Sequence, residues 1–217
     1  MADYILVHDR AAYEGVVRPA LAAAWRSRSF APCLPHAAEW AAAARAYSER
    51  YHVSRDDLVL LRLAEGLRFD RDVWRLLVAE VLLVTAVEMP EMPPHVESLV
   101  RLLAAGAPEP DLSRREAMAP IHQALHGSRD VRFGLAVYRP GHAGLNDAGD
   151  VTRLAGALDA VRPEGWSAEA LAGVPGLEDE EDREDELAFA REWFEVLRGV
   201  YRRAAEAERV MVLETIY

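Results

Sequence analysis

The stretch Asp70–Glu88 constrains this chain more than any other, because it is the longest apolar run and a fold must hide it. Between Val73 and Val87 the polar residues are Arg75, Glu80 and Thr85, too few to make a polar face. A helix that is apolar nearly all round belongs in a protein core or a membrane. A membrane span needs about 20 residues with few charges. Arg75 and Glu80 interrupt this run early and Pro90 ends it, so it reads as a buried core helix capped by Asp70. The β-branched tail Val81–Val87 would suit a strand, but the run is too long for one. Glu80 must be paired with an arginine or lie at a wet edge; the sharper reading is a functional carboxylate with a raised pKa.

Three β-prone segments stand at the beginning, middle and end of the chain: Tyr4–His8, Val131–Tyr138 and Val210–Ile216. Helical spacing fills the intervals. One stripe runs from Tyr13 to Trp25 and is interrupted at Pro19, where a kink or a second helix is expected. Others cover His36–Tyr51, Leu58–Leu63 after an N-cap at Ser54, His95–Ala105, and Val151–Val161. Ser113 and Glu116 make a capping-box pattern that opens a short helix towards His126. Ser29–Pro35 and Arg139–Gly149 read as loops, and a short helix is expected after Ser167. Leu187, Ala190, Trp193, Phe194, Leu197, Val200, Tyr201 and Ala204 form the stripe of the longest amphipathic helix. The expected fold is α+β, mostly helical, with one small sheet built from the N-terminal, middle and C-terminal strands. Its 217 residues suit a single domain, with Ala107–Leu112 the one place that reads as a subdivision.

Composition excludes several chemistries. All 25 basic residues are arginine. Without lysine there is no Schiff-base nucleophile, no P-loop and no protein-kinase catalysis. A net charge of −11 repels phosphate backbones, so no nucleic-acid partner is expected. Cys33 is the only cysteine, which rules out an internal disulfide and a multi-cysteine zinc site. The N-terminus lacks the pattern of a signal peptide, and the chain reads as cytoplasmic, with no membrane partner and no cofactor.

Few residues suggest chemistry. His122 and His126 stand at i and i+4, where both can reach one metal ion, but no third ligand follows by spacing. The ordinary reading of His126 is an interaction with the end of a helix that stops at Gly127. Cys33 precedes His36 at a helix start, where a thiolate is favoured, although a lone cysteine is usually a small buried hydrophobe. The loop Arg139–Asp147 could hold a small polar ligand with Arg139, His142 and Asn146, while Asp147 and Asp150 argue against a phosphate. His8, at a strand end beside Asp9, is a further candidate. The acidic run Glu178–Glu186 is most simply a solvated helix start; it would also suit a basic partner or a divalent cation, although it lacks the spacing of a calcium loop. The leading expectation is a non-enzymatic interaction protein, an adaptor or an inhibitor that binds a basic protein. The rival is an enzyme or ligand-binding protein that uses His122 and His126 or the Arg139–Asp147 loop.

Overall fold

The two ends of the described chain meet in one sheet. β1 (Ala2–His8) and β6 (Val210–Ile216) pair antiparallel, with Ala2 opposite Ile216 and His8 opposite Val210. The computed structural model describes residues 2–54, 58–90, 96–105, 120 and 122–216. β6 also pairs antiparallel with β5 (Ala143–Asn146), and β5 with β2 (Arg129–Asp130), so the order is β1-β6-β5-β2. The protein is therefore α+β and mostly helical, with strands from the beginning, middle and end of the chain.

Both faces of this sheet are covered, which explains why Ile5–Val7 and Val210–Leu213 are apolar without a polar alternate. Leu6, Val210 and Val212 face one core. Around it lie α1 (Arg10–Ala12), a π turn (Tyr13–Val17), α2 (Arg18–Ser27), a 3-10 turn (Ala31–His36), α3 (Ala37–Tyr51), a second 3-10 turn (Val59–Glu65) and α4 (Arg71–Thr85). Ile5, Val7, Met211 and Leu213 face the other core. It is filled from α5 (Val96–Ala105), α6 (described over 122–126), α7 (Ala148–Asp159) and α8 (Glu180–Glu206).

α4 begins as its sequence dictates: the Asp70 side chain accepts from the N–H groups of Asp72 and Val73. Trp74, Leu77, Val78, Val81 and Leu82 are buried. Trp74 lies 4.7 Å from the Trp25 ring and 5.9 Å from Phe133, and its indole N–H donates to the Leu21 carbonyl at 3.2 Å. Burial is one-sided, however: Leu76 is 48% exposed and Val87 55%. The helix stops at Thr85, and Val87 and Glu88 instead bond to Val7, continuing the sheet beyond β1. The β-branched tail thus divides between helix and extended chain.

Three further expectations are corrected. The segment 131–138 is not one strand but a hairpin, β3 (Arg132–Phe133) and β4 (Ala136–Val137), turning at Gly134 with φ +65°. Leu135, inward by alternation, sits on the turn and is 95% exposed. The 139–149 region is not all loop, because β5 occupies Ala143–Asn146. Its Ala-Gly-Leu-Asn sequence has little β character; Gly144 is there because a Cβ would lie 1.8 Å from the His126 carbonyl oxygen. The Leu58–Leu63 stripe winds as a 3-10 turn rather than an α-helix. The second helix expected at Pro19 does begin there: α2 starts at Arg18 with Pro19 in its first turn, after a π turn in which Arg18 N–H donates to Tyr13 O, five residues back. Proline has no N–H to give Gly15, so the ladder slips by one residue before it.

The segment after Ser167 forms a 3-10 turn at Ala168–Leu171, and the expected loop Ser29–Pro35 winds in large part as another, Ala31–His36, which holds Cys33. The capping-box pattern at Ser113 and Glu116, the 107–112 connection and the acidic pair Asp56–Asp57 lie outside the described residues. Among the described residues no helix is long and apolar enough to cross a membrane.

Candidate functional site

The residues singled out from the sequence do not converge. His8 is buried at the end of β1, its ring 5.4 Å from that of Tyr13. It lies beside the Thr85 backbone, yet neither ring nitrogen makes a hydrogen bond of ordinary geometry, and the Tyr13 hydroxyl makes none either. Burial pushes the His8 pKa down to about 4 and that of Tyr13 up to about 12. His122 and His126 are exposed, with rings 4.6 Å apart on one face of α6. No three His, Cys, Asp or Glu side chains among the described residues are placed to share a metal ion. Cys33 is fully buried, points at the Ala20 carbonyl, and has its thiol pKa raised by burial to about 12. A thiol in that state is not a nucleophile.

In the Arg139–Asp147 region the polar groups are spent on the fold. Arg139 donates to the buried Glu214 carboxylate at 2.6 Å, and the Tyr138 hydroxyl donates to the same oxygen at 2.9 Å. Burial raises the Glu214 pKa, against the pull of Arg139 and Tyr138. Glu214 was legible in principle as a lone carboxylate inside an apolar strand. Asn146 is buried and fully satisfied: its oxygen accepts from Ser128 N–H and hydroxyl, and its amide donates to the Gln123 carbonyl and the Tyr201 hydroxyl. Asp147 and Asp150 form the capping box of α7 and pair with Arg129. The Asp150 N–H and the Arg129 guanidinium hold Asp147 below the usual carboxylate range. His142 is exposed on the turn that closes on Arg139.

Charge, by contrast, is gathered in one place. Between residues 163 and 195 there are twelve carboxylates and two arginines, which accounts for ten of the eleven net negative charges. The remainder of the chain is nearly neutral, so the acidity is not a uniform solubilising coat. The first part of this segment, a 3-10 turn (Pro163–Gly165), the Ala168–Leu171 turn and the chain to Glu178, packs along α8 through Trp166, Leu171 and Leu177. Trp166 meets Phe194 edge-on at 5.3 Å. Both arginines cross between the two walls. Arg183 donates to the carbonyls of Leu177 and Glu178 at 3.1 and 2.7 Å. Arg191 donates to those of Pro163 and Trp166 at 3.1 and 2.6 Å. Among the described residues, the hydrogen bonds of these two guanidinium groups go to backbone carbonyls rather than to carboxylates. Only Glu195 of the twelve carboxylates is in a close ion pair among the described residues, with Arg198.

Apart from half-buried Glu186, the acids are exposed along α8, and Phe189 and Val196 stand among them, 41% and 45% exposed. Two clefts open beside them. One, of about 600 Å³, has an apolar floor of Ala168, Val174 and Leu177 below Glu169, Glu178, Glu180 and Glu184. The other, of about 500 Å³, lies between Pro163, Glu164, Arg191, Glu192 and Glu195. Neither contains a histidine or the cysteine. Comparison with protein-family models, characterised proteins and solved structures finds no match for this chain.

Proposed function

We propose that this chain is a non-enzymatic interaction module that binds a basic protein partner through the acidic face formed by α8 and the 163–178 segment. One observation carries the reading: ten of the eleven net negative charges lie in this one region, with a single close ion pair among its carboxylates within the described residues. Like charges held together repel, and the folded state bears that cost. A basic partner relieves it, and the local field accelerates encounter. The exposed Phe189 and Val196 add apolar area of the kind a protein partner covers. The scatter of His8, Cys33, His122, His126 and His142 speaks against the rival enzymatic reading. We place the action in the cytoplasm, which suits a chain whose only cysteine is a buried free thiol.

The test is capture from the native host with the wild-type chain and with a triple variant, Glu180→Gln, Glu184→Gln and Glu192→Gln. The expected prey is a basic protein, held at low salt, released at about 0.5 M salt where screening is within a few ångströms, and not captured by the triple variant. Recovery of no protein, or of one held equally by both chains and insensitive to salt, overturns the reading.

A further inference from the structure

The two clefts lie on the same side of α8, and their spacing says how a basic segment would lie. Glu180, Arg183 and Glu184 line the first; Arg191, Glu192 and Glu195 line the second. They are about ten helical residues apart, or about 15 Å along the axis. The 163–178 segment supplies the opposite wall of both, tied to α8 by the carbonyl contacts of Arg183 and Arg191. Each cleft has more carboxylates than guanidinium groups: four to one in the first, three to one in the second. The first also has an apolar floor on which an arginine stem can lie while its head reaches the acids. Glu180 and Glu184, four apart on one helix face, can both be reached by a planar guanidinium.

We infer that this groove takes an extended segment of the partner, with one basic side chain seated in each cleft. The inference rests on the acidic-face reading above and adds the conformation and spacing of the ligand. An extended chain advances about 3.3 Å per residue, so the two basic residues stand about four to five positions apart. A helical segment would need them about ten apart instead.

The experiment titrates the isotopically labelled full-length chain with Gly/Ser decapeptides and follows backbone amide shifts by NMR. One peptide carries two arginines about five positions apart, another carries them adjacent. The spaced peptide is expected to move the amides of both clefts and to bind about fivefold more tightly than the adjacent one. Glu169→Gln with Glu184→Gln, and separately Glu164→Gln with Glu192→Gln, are each expected to weaken it at least about fivefold. Glu181→Gln with Asp185→Asn, on the same helix outside both clefts, is expected to cost no more than about twofold through the general field. Equal losses from all three pairs, or equal affinity for both peptides, overturn the groove while leaving a diffuse acidic surface intact. If neither peptide nor oligo-arginine shifts any amide of α8, the groove and the acidic-face reading fail together.

Discussion

Glu80 accepts from the backbone N–H of Leu60 at 2.7 Å, and its other oxygen accepts from Val59 at 2.9 Å. The carboxylate of the central helix is thus the cap of the 3-10 turn at Val59–Glu65. The start of that turn needs acceptors for its free N–H groups, and among the described residues no local side chain supplies them. Burial raises the Glu80 pKa and the two N–H groups pull it back. Glu80→Ala is expected to cost about 2 kcal/mol, the range for stranding buried donors, and Glu80→Gln, which keeps one carbonyl oxygen, about half as much. Urea denaturation monitored by tryptophan fluorescence measures both. A loss near zero for the alanine variant would show that water replaces the carboxylate.

Gly127 and Gly144 bring two backbones together where no side chain fits. A Cβ on Gly144 would meet the His126 carbonyl oxygen at 1.8 Å, and one on Gly127 would meet the Gly144 backbone at 2.5 Å, at φ +85°. Either alanine substitution must push α6 away from β5, the strand next to β6. Gly144→Ala is expected to cost more than about 3 kcal/mol, the scale of a severe core defect, read as a loss of the folded fraction at ordinary temperature. Gly156→Ala serves as the control, because a Cβ there meets nothing within 4 Å.

His8 sets an acid limit. Its folded pKa, about 4, lies below the ordinary 6.5. Between these values the unfolded chain binds more protons than the folded one, so stability rises with pH across the window. The contribution is fully present above about pH 6.5 and lost as the pH falls towards 4; its full size is about 3 kcal/mol at 1.36 kcal/mol per unit. His8→Phe is expected to flatten the wild-type slope between pH 6.5 and 4, measured by chemical denaturation at each pH. An unchanged slope would mean that His8 is solvated or protonated in the folded protein.

The acidic face carries a stability cost that substitution should recover. Asp185 has Glu181 and Asp182 within one turn and lies beyond the first turn of α8, where the helix dipole would favour a negative charge. Asp185→Asn is expected to raise stability by about 0.5 kcal/mol at low salt, with the gain vanishing at about 1 M salt, where the screening length is about 3 Å. Thermal unfolding of both chains at the two salt concentrations decides it; a gain that persists in salt would have another origin.

The sequence by itself determined what is local. The terminal strands, the Asp70 cap, the stripe of α8 and the stop at Gly127 follow from period, capping chemistry and glycine, all of which act within one element. It also placed the terminal strands in a common sheet, because an isolated pair of strands is marginal in water and one sheet can gather them, although the middle segment expected beside them, Val131–Tyr138, holds a separate two-stranded sheet. Only the tertiary structure decided the rest. β5 is a strand because α6 and β6 need a backbone there that lacks a side chain, not because Ala-Gly-Leu-Asn prefers it. Glu80, expected either to pair with an arginine or to lie at a wet edge, is half-buried and accepts from two backbone N–H groups twenty residues away in sequence, a pairing that no local pattern announces. The acidic run at 178–186 was visible in the sequence, but Glu164 and Glu169 joined it only when the 163–178 segment folded back along α8. Charges act through space, and their neighbours are set by packing rather than by order in the chain.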